Sequence, residues 1–337
     1  MNPQQSEEVL YEKRWNIRSF PEHYITGQHV SLQRLKENPQ ELMWRYISKE
    51  IPPYPNPVEF CVSDVTHVTE ESGFDGILKS EQIRPPESEF SWWDLKINNE
   101  EIISAEERYV ESHFPKEQQV LYEQKPFLEK FTTSPLFQPE KSRYGNYRFT
   151  FPLTELMKLY KEQNCGGKEP VLRMYETITY KQEIVYTVLI HSPEDNKEFE
   201  KYPLLEASER VRYRDGAIIW KAQAICETHH YQFCSGEVQA VQDRAEFYVW
   251  DLVSLVFHLP KHSKPCKALK IPRRCLIEAL ETCELIIMRL VCSKIIENHN
   301  STAKMKVSEL KKELEEDEKE EESKEDEKIK MEVDDCD

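Results

Sequence analysis

Glycine is scarce in this chain, with eight residues in 337, so few positions can bring backbone close against a ligand through glycine-rich loops. No stretch approaches the roughly 20 consecutive apolar residues of a membrane-spanning helix. The opening MNPQQSEEVLYEKR lacks the apolar core of a secretory leader. A soluble protein of the cytosol or nucleus is expected. The nine cysteines, at 61, 165, 226, 234, 266, 275, 283, 292 and 336, are odd in number and share no repeated spacing. A chain this long needs no disulfide framework, and reduced thiols are expected. Basic residues cluster only within Lys264–Arg274. Duplex nucleic acid is therefore not an expected partner, because phosphate binding rests on clustered Lys and Arg that release counterions.

What the chain does have is acid. Its formal charge is -17, and Lys306 to Asp337 holds sixteen acidic residues against seven lysines, a net of -9. About half of the charge thus belongs to the final tenth of the chain. Residues 298–337 are expected to form a disordered acidic tail, since they cannot bury enough apolar surface to order themselves.

The remainder is long enough to bury a substantial core. Residues 1–57 form an N-terminal helical and extended segment. In it Leu32, Leu35, Leu42, Met43, Tyr46 and Ile47 fall near helical spacing, and four prolines within IPPYPNPVEF end the pattern. An α+β domain is expected over 58–297, with a mixed or antiparallel sheet and flanking helices. VEFCVSDVTHV opens it as a β-branched strand, and Gly73 and Gly76 mark the start of a short FDGILKS helix. Ile102, Ile103, Ala105, Tyr109 and Val110 make a helical stripe with acidic residues at its start. Five β-rich segments follow: YGNYRFTFPL, EPVLRMYETITY, QEIVYTVLIHSP, DGAIIWKAQAICE and EFYVWDLVSLVFHL. They are interrupted by one helix, FPLTELMKLYKEQ, with Thr154 as a candidate cap. Residues 271–297 read as a final, largely apolar helix suited to docking a partner.

On a strand, residues two apart face the same way, so His67 and Thr69 in HVTEESGFDGILKSEQI would point together beside the following helix. An H-x-T strand, a Gly-marked turn and an I-L-x-S-x-x-I helix resemble the opening of the ADP-ribosyltransferase superfamily. That superfamily includes the poly(ADP-ribose) polymerases and the RNA 2'-phosphotransferases. The likeness spans residues 67–83 and implies an ADP-ribosyltransferase-like fold with NAD as co-substrate. It would set His67 on the adenosine ribose with Thr69 in support. FTTSPLF resembles the Ser-Pro turn that lines the nicotinamide side, which implicates Ser134, while Tyr144 and Tyr147 in SRYGNYRFTF are candidate stacking rings. The resemblance also calls for a glutamate opening a late strand to steady an oxocarbenium ion. Glu183 is the first candidate and Glu237 the second. ADP-ribose would pass to a protein or nucleic-acid acceptor. The stretches FSWWDLKI and YGNYRFTFPL also look like a vertebrate family, and that likeness implies no mechanism.

Other readings stay open. A non-catalytic intracellular interaction protein on an α+β scaffold fits the same pattern. Trp92 and Trp93, adjacent on a strand, would be rim and core of one packing site. Cys226, His230 and Cys234, with His229, His262 and Cys266, could hold zinc only if the fold assembled a tetrahedral set, and their spacing follows no common pattern. Residues 310–313 and 329–332, LKKE and IKME, resemble acceptor sites for small ubiquitin-like modifiers.

Overall fold

The computed structural model describes residues 11–16, 21–37, 58–84, 88–114, 125–128, 135–137, 140–180, 183–223, 229–242, 250–261, 267–285 and 293–334. Two-residue strands aside, its strands in chain order begin with β1 (Glu12–Trp15), β2 (Pro21–Thr26), β3 (Val58–Val62), β4 (Asp64–Thr69) and β5 (Phe90–Lys96). Next come β6 (Tyr147–Pro152), β7 (Val171–Tyr180), β8 (Glu183–His191), β9 (Val211–Arg214) and β10 (Ala217–Ala222). The series ends with β11 (His229–Cys234), β12 (Glu237–Gln242), β13 (Trp250–His258) and β14 (Leu280–Thr282). The helices are α1 (Leu32–Glu37), α2 (Glu71–Ser80), α3 (Asn99–His113), α4 (Leu153–Asn164), α5 (Asn196–Phe199), α6 (Arg273–Glu278) and α7 (Ser293–Asp334). The fold is α+β. Contacts divide it into two compact units: residues 1–66, 84–139 and 151–269 form unit 1, and residues 67–83, 140–150 and 270–337 form unit 2.

Unit 1 is built on a mixed sheet in the order β1-β2-β7-β8-β13-β5-β4. The β8–β13 pair is parallel, in register from Glu183↔Trp250 to Ile190↔Phe257, and its flanking pairs with β7 and β5 are antiparallel. Buried strands of this kind read as continuous apolar runs, and every residue of β8 except Val185 is buried. Alternation appears where one face is wet: Trp93 is 1% exposed and its neighbour Trp92 is 37% exposed. The Trp93 ring meets Phe257 edge-on at 6.2 Å, and Phe257 meets Tyr160 of α4 at 5.2 Å. Helix α4 buries Leu153, Leu156, Met157 and Tyr160, the i, i+3, i+4, i+7 stripe of an amphipathic helix. Its N-cap is Pro152 without a side-chain cap bond, so Thr154 does not cap it. Helix α3 is capped by Asn98, whose side chain accepts from the Glu101 amide at 2.8 Å. A second sheet, β9-β10-β3, carries a two-residue turn with Asp215 and Gly216 both at positive φ, 52° and 83°. Asp-Gly is the pair that a type I′ hairpin selects.

Unit 2 gathers the end of β4, α2, β6, α6, β14 and α7. Strand β14 pairs antiparallel with β6, Leu280 opposite Phe149. Phe74 of α2 stacks on Tyr147 of β6 with ring centroids 4.0 Å apart and planes 11° from parallel. Asn300 of α7 accepts from Asn146 Nδ2 at 2.6 Å and from the Leu285 amide at 3.2 Å. Ala303 and Val307 are buried one and two turns on.

Two expectations are corrected here. Residues 271–297 are not one helix: Pro272 starts α6, which stops at Glu278, and β14 follows by pairing with β6. The acidic segment expected to lack structure is helical as far as Asp334. Its first turns dock through Asn300, Ala303 and Val307, and exposed pairs such as Lys312–Glu316 and Glu320–Lys324 at i, i+4 support the rest. The expected boundary at residue 57, and the helix beyond Glu37, lie outside the described residues.

Candidate functional site

Four of the residues singled out by sequence fall in unit 2, around the junction of β4 and α2. His67 and Thr69 lie on one side of β4, both half-buried. The Thr69 hydroxyl sits where a Cβ at Gly73 would have to be. Gly73 therefore lies inside α2 rather than ahead of it, with the helix beginning at Glu71. A second glycine presses on the same place: a Cβ at Gly145 would fall on the Thr69 carbonyl and crowd the Glu70 amide, and Gly145 has a φ of 156°. The segment 144–146 is thus laid against the strand end that carries Thr69.

The two tyrosines of that segment differ. Tyr144 is 50% exposed, its amide donates to Ser142 Oγ at 3.0 Å, and the Arg143 guanidinium lies 5.9 Å from its ring centroid. Tyr147 is buried under Phe74, and burial raises its hydroxyl pKa above the ordinary value. Tyr147 therefore serves as a core ring, with one face taken by α2, and only Tyr144 offers a surface for stacking.

Both candidate glutamates belong to unit 1. Glu183 opens β8, opposite Tyr180 on one side and Trp250 on the other, and is 5% exposed. Glu237 opens β12 across the hairpin from Cys234 and pairs with Lys125 at 3.3 Å. Ser134 lies outside the described residues, as do Cys226, His262 and Cys266 of the possible zinc set. Among the described residues no group of three His, Cys, Asp or Glu is placed to hold a metal ion.

Unit 1 also holds a polar cluster that sequence reasoning missed. Arg173 donates through Nε to His191 Nε2 at 2.9 Å, through Nη1 to the Tyr202 carbonyl at 2.6 Å and through Nη2 to Asn196 Oδ1 at 3.0 Å. His191 Nδ1 donates to the Ser192 carbonyl at 2.7 Å, so the ring is neutral. Burial is the largest cause holding its pKa below the ordinary value. Beside it, His258 Nδ1 lies 3.1 Å from Asp195 Oδ2. The Phe199 ring lies 4.9 Å from that of His191 and 4.7 Å from that of His258. The cluster fastens residues 192–202 to the ends of β7, β8 and β13. The available signal was a single arginine within the otherwise strand-like VLRMYETITY.

Comparison with protein-family models, with curated proteins and with solved structures returned no match.

Proposed function

We propose that this chain is an ADP-ribosyltransferase-like protein that binds NAD at the β4–α2 junction of unit 2. The observation that carries this reading is the packing there. His67 and Thr69 share one side of the strand end, Gly73 seats the Thr69 hydroxyl, and Gly145 brings exposed Tyr144 alongside. In this reading His67 holds the adenosine ribose, Thr69 fixes the strand end, and Tyr144 stacks on a ring of the dinucleotide. ADP-ribose then passes to a protein acceptor and nicotinamide leaves.

A second reading, a non-catalytic interaction protein on the same scaffold, is favoured by the burial of Glu183 and by the packing of Tyr147 against Phe74. Titration of the full chain with NAD, followed by thermal midpoint, tests binding, because a ligand of the folded state alone must raise it. A saturable rise that His67→Ala removes supports the dinucleotide site. Absence of a shift at millimolar NAD rejects it and leaves the interaction reading. Transfer of label from NAD to protein, measured beside the thermal shift, separates an active transferase from a binding protein.

A further inference from the structure

Unit 1 contains a cavity of about 360 Å³, within the size range of small-molecule sites. One wall is Leu172 of β7. The second is Leu205 and Glu206, from the short 3-10 turn Leu205–Ala207, and the third is the β9–β10 hairpin through Arg212, Tyr213 and Ile219. These walls are held by backbone. The Met174 amide donates to the Pro203 carbonyl at 2.9 Å, which lays the 202–206 segment along β7. The Arg210 and Val211 amides donate to Ser208 Oγ at 3.2 and 3.1 Å, which turns the chain into β9.

The lining divides by chemistry. Leu205 is buried and Leu172 and Ile219 are half-buried, so they form an apolar floor. Arg212 and Glu206 are exposed and opposite in sign, and neither side chain makes a hydrogen bond or ion pair among the described residues. A further arginine of the lining, Arg214, is already paired with Asp215 at 3.1 Å. A simple anion entering this cavity would meet Glu206, and a simple cation would meet Arg212. A wholly apolar molecule would use neither. A molecule that carries both charges on a short apolar body uses the whole lining, and the planar guanidinium matches a carboxylate in a bidentate pair.

We propose that the cavity binds a free amino acid with an apolar side chain. Its carboxylate lies on Arg212, its ammonium on Glu206, and its side chain on Leu172, Leu205 and Ile219 beside the Tyr213 ring. The site lies wholly in unit 1 and does not rest on the NAD reading.

Isothermal titration of the full chain with leucine and with phenylalanine tests this. N-acetyl-leucine and leucinamide, each lacking one charge, serve as matched probes. Saturable binding of leucine or phenylalanine is expected, weakened at least about tenfold in either derivative, in Arg212→Gln and in Glu206→Gln. Both variants alter exposed side chains, so an unchanged thermal midpoint will show that they fold. The proposal is overturned by no saturable heat from either amino acid at millimolar concentration. It is equally overturned by N-acetyl-leucine binding as well as leucine, or by undiminished binding in both folded variants.

Discussion

The Nε of Arg173 donates to Nε2 of His191 at 2.9 Å, and this bond exists only while that ring nitrogen is bare. Protonation would remove the acceptor and set a second positive charge beside the guanidinium. Asp195 and His258 are the other titratable groups near this ring. Because the folded-state pKa is held below the ordinary 6.5, the unfolded chain takes up the proton first. Stability from this group is present above pH 6.5 and declines as pH falls below it. Urea midpoints at pH 7 and pH 5.5 should differ less in His191→Gln than in the parent chain. An equal pH dependence in the two would contradict this account.

His29 makes the same argument with a larger shift. Its Nε2 donates to the Thr187 carbonyl and its Nδ1 accepts from Ser208 Oγ, both at 2.9 Å. Burial lowers its pKa to about 4. Its contribution, about 3 kcal/mol from the size of the shift, is complete above pH 6.5 and lost as pH falls to about 4. His29→Ala at pH 7 should cost about 2–4 kcal/mol in chemical denaturation, since it opens a cavity and strips two buried partners.

Two glycines of one helix should respond oppositely to alanine. Nothing lies within 4 Å of a Cβ at Gly76, so Gly76→Ala should stabilise by about 0.5–1 kcal/mol through helix propensity. At Gly73 the new methyl displaces the Thr69 hydroxyl, so Gly73→Ala should lower the denaturation midpoint. If NAD binds at this junction, the same substitution should also weaken it.

Helix α7 should divide into a docked and a dispensable part. Asn300→Ala leaves the Leu285 amide without its acceptor and leaves Asn146 Nδ2 with only the Cys283 carbonyl, and should cost about 1–3 kcal/mol. Truncation after Leu310 removes exposed pairs such as Arg274–Glu318 and should change the thermal midpoint little, since such pairs are worth about 0–1 kcal/mol each.

Much of the architecture was readable because local pattern and burial coincide. The runs that became β7, β8, β10 and β13 are β-branched and apolar, the α4 stripe follows helical spacing, and the alternation at Trp92–Trp93 forced one ring inward. Residues 271–297 misled because apolar content without a clear period does not separate a buried helix from a short helix followed by a paired strand. The acidic end misled because composition weighs charge but not the i, i+4 order of Glu and Lys. At the candidate site, His67 and Thr69 could be seen two apart, whereas the seating of the Thr69 hydroxyl on Gly73 and of Gly145 on the Thr69 carbonyl depends on packing. The Arg173–His191 bond was hidden for a further reason. A register shift between Thr187 and Val188 sets Leu189 opposite Arg173 and brings His191 diagonal to it, and no spacing in the sequence announces that irregularity.

The parallel pairing of β8 with β13 also governs the order in which this sheet can be completed. During synthesis β5 leaves the ribosome long before β13, yet Phe90 pairs with His258 and Trp93 with Leu255. Until β13 is made, β5 has an open edge and Trp93 lacks its Phe257 neighbour. Closure across so long a loop is slow and leaves apolar surface uncovered meanwhile. The nascent chain thus passes through an interval in which self-association competes with folding, and that interval ends only when β13 emerges.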